Sequence, residues 1–237
     1  MRADQYLVRE GHYASRARAQ AAIKAGLVRV DGVVLRKASQ TIRDGAPVEA
    51  VAEHPYVSRG GLKLAHALEV FGISARGRVA LDVGSSTGGF TDVLLRAGAA
   101  QVYAVDVGRD QLDGRLRADP RVVSMEGVDA RTLLPTLFDP VPGLLVCDAS
   151  FISVTKLLAP ALSFTQEAVI LFKPQFEVGR DNIGKGGIVR GGQAEALARV
   201  ERWVAEQGWR VEARTDSPIK GGSGNAESLL HLRRRTA

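Results

Sequence analysis

Across residues 60–237, short β-branched runs alternate with stretches of helical period, and few folds accept that order. Strands are predicted at 79–83, 101–107, 122–125, 144–148, 168–173, 209–215 and 228–232. Helices are predicted at 61–71, 89–97, 131–137, 154–162 and 194–207. Strand and helix in alternation imply an α/β fold, a mostly parallel sheet covered on both faces. Residues 216–226 leave no room for a long crossover helix, so the last strand is predicted antiparallel to the sixth. Ligands of such a sheet sit at the carboxyl ends of the strands, near the point where strand order reverses.

The first 50 residues have a different character. They hold nine Lys and Arg against five Asp and Glu, which is +4 of the chain's net +6. A concentrated basic segment is an electrostatic footprint for a polyanion; a solvated basic face is the plainer alternative. A short helix is predicted at 4–10, ended by Gly11, and Ser15 is the expected N-cap of a helix over 16–25 that Gly26 closes. Asp31-Gly32 between two β-branched runs signals a hairpin with a type I′ turn. Arg16, Arg18 and Lys24 lie on the helix, and Arg29, Arg36 and Lys37 on the hairpin. Such a unit suits a phosphate backbone docked without reading its sequence. With Leu7, Ser15-Arg16, Ala19, Ile23, Gly26, Val30, Asp31-Gly32 and Val48, the stretch from Arg2 to Glu49 resembles the ribosomal S-four-like RNA-binding domain. Residues 1–50 thus read as one domain, 51–59 as a linker and 60–237 as a second domain.

Composition excludes several classes. The lone Cys147 cannot close an intrachain disulfide or supply a structural zinc site by itself, and no metal is expected. No apolar run approaches the ~20 residues of a spanning helix, and Met1-Arg2-Ala3-Asp4 opens no apolar signal segment. A cytoplasmic protein with no membrane partner is the expectation.

The first predicted strand of the larger domain runs into Gly84-Ser85-Ser86-Thr87-Gly88-Gly89-Phe90 and then a helix. The spacing is not G-x-G-x-x-G, so a dinucleotide pyrophosphate is not indicated. Asp82, just before the first glycine, would repel a pyrophosphate and suits a cationic ligand; a turn or cap carboxylate is the alternative. Asp106 and Val107 end the next strand, where a carboxylate grips ribose hydroxyls in nucleoside-binding sheets. Asp129 follows the third strand and could accept from an adenine amino group, or be a surface acid. One acid near a cation, one on a ribose and one on a base edge is the pattern expected for S-adenosylmethionine.

Asp148 and Lys173 close the fourth and fifth predicted strands, and an antiparallel last strand would start with Glu227 at the same edge. Lys63, on the helix before the first strand, could complete the set. Methyl transfer from a sulfonium to an alcohol wants such groups: an amine to take the hydroxyl proton, carboxylates to orient the amines, and tight placement of the reactants. Lys173 is expected nearest the attacking hydroxyl, with Asp148 beside it. Taken singly, each is more simply a surface ion-pair partner; their convergence is what counts.

Lys63, Asp148, Lys173 and Glu227 are similar, in order and context, to the K-D-K-E tetrad of FtsJ-like ribose 2′-O-methyltransferases. The strings Val57-Ser58-Arg59-Gly60-Gly61, Asp82 to Asp92, Asp148-Ala149-Ser150-Phe151-Ile152-Ser153, Phe172-Lys173-Pro174-Gln175-Phe176-Glu177, Gly184 to Arg190 and Gly224-Asn225-Ala226-Glu227 resemble the TlyA (haemolysin A) family over nearly the whole chain. Gly191 departs from it, standing where members often carry an acid. The resemblance implies a Rossmann-like class I methyltransferase sheet with a small N-terminal α+β RNA-binding domain. It also implies S-adenosylmethionine-dependent methylation of a cytidine 2′-hydroxyl in ribosomal RNA, within the large ribosomal subunit, with the small subunit as a further candidate. The loop 179–192, with Lys185 and Arg190 among its glycines, is expected to border the target as a mobile lid on RNA phosphates. Two other readings stand beside this one: a non-catalytic RNA-binding assembly factor, and a membrane-active haemolysin.

Overall fold

The computed structural model describes residues 1–13, 15–50 and 54–235. The chain divides into two units, Met1–Pro55 and Tyr56–Ala237, each with its own core. Residues 51–53 of the expected linker lie outside the described residues.

In the first unit, helices α1 (Ala3–Arg9) and α2 (Arg16–Lys24) precede strands β1 (Val28–Val30), β2 (Val33–Val34) and β3 (Val48–Ala50). Ser15 caps α2 as expected, its hydroxyl accepting from the Arg18 N–H at 3.3 Å. Asp31 and Gly32 both have positive φ, 51° and 76°, which is the type I′ turn. The third strand was not foreseen: β3 pairs antiparallel with β1 across 18 or more residues, and three residues carry no readable period. Tyr6, Leu7, Ala19, Ile23, Val28, Leu35 and Ile42 form the core.

The second unit runs α3 (Gly60–Phe71), β4 (Val79–Val83), α4 (Gly89–Arg96), β5 (Gln101–Asp106), α5 (Gly114–Arg117), β6 (Val122–Glu126), β7 (Leu144–Cys147), α6 (Val154–Leu157), α7 (Ala159–Phe164), β8 (Glu167–Phe172), α8 (Pro174–Glu177), α9 (Gln193–Glu206), β9 (Trp209–Asp216) and β10 (Ser228–Arg234). Its seven strands lie in the order β6-β5-β4-β7-β8-β10-β9. β4 to β8 are parallel; β10 is antiparallel to both β8 and β9, as the short 216–226 connection demanded. Successive side chains alternate between faces. Leu81, Val83, Leu145 and Ile170 join the core under α6, α7 and α9, while Ala80, Leu144, Val146 and Val169 join the one under α3 and α4. No helix of the described residues is long and apolar enough to cross a membrane.

Two predicted helices are corrected. In place of 131–137 there are two 3₁₀ turns, Ala130–Thr132 and Pro135–Leu137, because Leu134 before the proline is held extended at φ −126°, ψ 147°. The 154–162 helix breaks at Leu158, since Pro160 has no N–H to continue the ladder and instead opens α7.

Candidate active site

Strand order reverses between β5 and β7, on either side of β4, so the β4 tip is where a ligand crevice opens. Gly84 turns there with φ 80°, and a Cβ on it would stand 2.8 Å from the Ala149 Cα. Only glycine lets the β4 and β7 tips approach this closely. The N–H groups of Gly84 and Ser85 both donate to the Val105 carbonyl, at 2.9 and 3.1 Å, which fixes the turn over β5.

Two cavities flank this turn and share Gly84 and Ser150. The smaller, about 240 Å³, is walled by Val83, Val105, Val107, Val128, Ile152 and Leu157, with Asp106 and Asp129 among its polar groups. The larger, about 460 Å³, is lined by Ser58, the turn residues Gly84, Ser85, Ser86, Thr87, Gly89 and Phe90, and by Lys63, Asp148, Lys173 and Glu227. The four expected ionisable groups therefore meet around one space.

They meet as two pairs. Lys63 Nζ donates to Glu227 Oε2 at 2.5 Å, and Gln175 Nε2 approaches the other oxygen of Glu227 at 3.4 Å. Lys173 Nζ donates to the Ser150 hydroxyl at 2.8 Å and the Asp148 carbonyl at 3.1 Å, and lies 2.6 Å from Asp148 Oδ1. Register explains the second acid. Ser228 pairs with Phe172, so Glu227 enters the sheet beside Lys173 at the tip of β8. Both lysines and Glu227 are buried. An ammonium removed from water needs such partners.

The other expected residues are placed unequally. Asp106 is held by the N–H groups of Ser86 (2.8 Å) and Gly108 (2.7 Å), and next to it Val107 exposes 76 % of its surface on the smaller cavity. Asp129 accepts from the Arg131 guanidinium, which holds its carboxyl down at about 2. Asp82 lines neither cavity: it is wholly buried on the Ala80 face of β4, where its carboxylate accepts from the Thr91 hydroxyl at 2.6 Å. Gly88 turns away from the larger cavity, against Leu112 and Leu116. Lys185 and Arg190 are exposed and line neither cavity; in their loop Ile183 bridges Val189, with one 3₁₀ turn before the bridge and another inside it.

In the first unit, Lys24, Arg36 and Lys37 are exposed. Arg16 is half-exposed and donates to Asp4 at 2.8 Å, so it also serves the fold; Arg18 is half-buried. Arg2, Arg16 and Gln20 converge on Asp4 and hold its carboxyl far below the usual carboxylate range.

Three features were not foreseen. Ser150 links the two cavities and holds Lys173. Glu177 accepts from the Ser153 hydroxyl (2.7 Å) and the Val154 N–H (2.9 Å), tying the segment after Lys173 to the one after Asp148. Phe151, 92 % exposed with φ 68°, packs on Phe176 at 5.3 Å on the wall of the larger cavity. The positive φ at Phe151 is a signal that no pattern of residue types carries.

Residues 56–234 match the FtsJ-like methyltransferase family model, and residues 1–48 the S4 domain. The chain is 44 % identical to "Hemolysin A" of Brachyspira hyodysenteriae, over 98 % of this chain and 99 % of that one. It is 45 % identical to the "16S/23S rRNA (cytidine-2'-O)-methyltransferase TlyA" of Mycobacterium tuberculosis, over 99 % of this chain and 90 % of that one. A solved Streptococcus thermophilus structure, provisionally named a hemolysin, superposes with TM-score 0.78 at 40 % identity, over 100 % of this chain and 89 % of that one. With its methyltransferase match, its S4 match and these full-length likenesses, the chain belongs to the FtsJ-like methyltransferases, in the TlyA and hemolysin A group.

Proposed function

We propose that this enzyme transfers a methyl group from S-adenosylmethionine to the 2′-hydroxyl of a cytidine in ribosomal RNA, in the large subunit and in the small subunit too. The observation that carries this reading is the pair of joined cavities, one nucleoside-like in its lining and the other ringed by Lys63, Asp148, Lys173 and Glu227. The M. tuberculosis relative's name supports the substrate.

The residues fit the cofactor. The apolar walls and the Asp106 carboxylate of the smaller cavity suit an adenosine, with Val107 and Asp129 at its base and ribose. Ser85 Oγ is buried on the wall of the larger cavity without a hydrogen-bond partner, free for the polar methionine end. Asp82 would act on that end through Thr91, not by contact. When bound, S-adenosylmethionine supplies an electrophilic methyl group on a sulfonium.

The chain's own residues handle the acceptor. Lys173, once its ammonium has given one proton to solvent, takes the hydroxyl proton onto the free pair of Nζ as the ribose oxygen becomes the nucleophile. Asp148 and Ser150 aim that amine, and Lys63 with Glu227 closes the opposite wall. Phe151 and Phe176 offer a face for a base drawn out of its stack. Lys24, Arg36, Lys37, Arg18 and Arg16 of the S4 unit, with Lys185 and Arg190 of the larger unit, meet phosphates.

Labelled-methyl transfer to ribosomal subunits from a strain lacking the gene tests this. Lys173→Ala is expected to lose about 10²–10⁴-fold in turnover while still binding S-adenosylmethionine. Equal incorporation by wild type and variant would overturn the assignment of Lys173, and no incorporation by wild type would overturn the activity.

A further inference from the structure

Asn225 is buried, two residues ahead of Glu227, and its side chain serves a different segment. Its Oδ1 accepts from the Val189 N–H at 2.9 Å, and its Nδ2 donates to the Gly187 carbonyl at 2.8 Å. The amide thus pairs with that backbone on both sides, as a neighbouring strand would. The segment it grips folds back on itself. Ile183 and Val189 form an antiparallel bridge, the Gly184 N–H donates to the Ile188 carbonyl at 2.7 Å, and the Arg190 N–H donates to the Asn182 carbonyl at 2.8 Å. Two cations ride on this turn, Lys185 near its tip and Arg190 at its base, both exposed.

Asn225 is equally fixed on its other side. Its carbonyl accepts from the Gly221 N–H at 2.9 Å. Ile219, Lys220, Gly222 and Ser223 of the same loop line the larger cavity, and a Cβ on Gly221 would displace the Glu227 carboxylate. One side chain therefore joins a basic turn to the wall that presents Glu227.

We propose that Asn225 is a positioning residue for the RNA. It holds the turn 183–190 at a set distance from Glu227, so that phosphates gripped by Lys185 and Arg190 bring one ribose into register with the cavity. The proposal rests on the RNA-methylating reading given above and adds to it a mechanical link between phosphate contact and chemistry. A purely structural asparagine would affect melting and leave the electrolyte dependence of RNA binding alone.

The test uses the full chain and ribosomal subunits, with Asn225→Ala, Asn225→Asp, Lys185→Ala/Arg190→Ala and the Asn225→Ala combination with that pair. Losing two phosphate contacts lowers the slope of log K against log salt by about 1.4–1.8. Asn225→Ala removes no charge, yet it is expected to lower that slope as well and to raise KM for RNA about tenfold, a 1.4 kcal/mol effect. The combination is expected to be no worse than the double cation variant, because both act through one contact. Asn225→Asp keeps the acceptor for Val189 and loses the donor for Gly187, so an intermediate KM is expected. It also covers the case in which the alanine variant fails to fold, which unaltered S-adenosylmethionine affinity would exclude. A wild-type salt slope in Asn225→Ala and Asn225→Asp, or effects that multiply in the combination, would overturn the link while wild-type methyl transfer stands. Absence of wild-type methyl transfer would remove the underlying reading instead.

Discussion

Asp82 shows how far burial can move a single group. It has no exposed surface, and desolvation pushes its carboxyl up to about 7, against the Thr91 hydrogen bonds that favour the charged form; the Asp148 and Asp106 charges add to the rise. Its native pKa thus exceeds the ordinary 3.8. Below pH ~4 both states are protonated and the group contributes nothing to the pH dependence. Between about pH 4 and 7 the unfolded chain releases a proton that the native chain keeps, so stability falls as pH rises; above about 7 the loss is complete. Asp82→Asn keeps an acceptor for Thr91 and cannot ionise. It is expected to match wild type in stability near pH 4 and to exceed it by a few kcal/mol at pH 8, read from urea unfolding at several pH values. A stability difference that does not vary with pH would mean that burial does not raise the Asp82 pKa above its unfolded value. Cys147, one strand over, is buried in the same sheet, and desolvation pushes its thiol up to about 12, so it stays a packing residue with no thiolate to offer.

Glu177 ties together two of the elements that carry the active site. It ends α8, four residues after Lys173, and its carboxylate accepts from the two groups that open α6, five and six residues after Asp148. Burial pushes its carboxyl upward, and those hydrogen bonds oppose the shift. Glu177→Ala leaves the Val154 N–H unpaired in a buried place, at a cost of about 1–3 kcal/mol. Because the tie sets the Lys173–Asp148 approach, the variant is expected to lose kcat with little change in KM for either substrate, at temperatures where it remains folded. Unchanged kcat in a variant of lowered Tm would limit Glu177 to a helix cap. The sequence made Lys173 and Asp148 legible because strand tips can be counted and parallel strands share an edge. Glu227 was legible because an eleven-residue connection forbids a crossover. Glu177, Ser150 and Asn225 were not, since each acts on a loop far along the chain and no spacing records it. The contact that Asp82 makes was hidden for a related reason. Its place on β4 was plain, but which face it points to depends on register against α3 and α4, and that puts it beside Thr91 rather than in the cavity.

At the scale of the whole chain, the two units answer to separate cores and separate tasks. Everything that lines the two cavities lies between Ser58 and Glu227, while the basic surplus is concentrated in the first 50 residues. A unit of 55 residues buries a modest core and is only marginally stable. Leu7 sits at the centre of that core with no exposed surface. Leu7→Ala costs about 2–5 kcal/mol, comparable to the whole stability such a unit has. In the full chain the substitution is expected to give an early, partial loss of helix signal on heating, ahead of the main transition of the larger unit. Calorimetry at a temperature between the two transitions should find S-adenosylmethionine affinity unaltered, because every residue lining the cavities belongs to the larger unit. Binding to ribosomal subunits at that temperature should weaken and become less sensitive to salt, as the fold that carries Lys24, Arg36 and Lys37 is lost. If cofactor affinity falls along with the first transition, the two units share their stability, and the S4 unit supports the catalytic fold as well as gripping RNA.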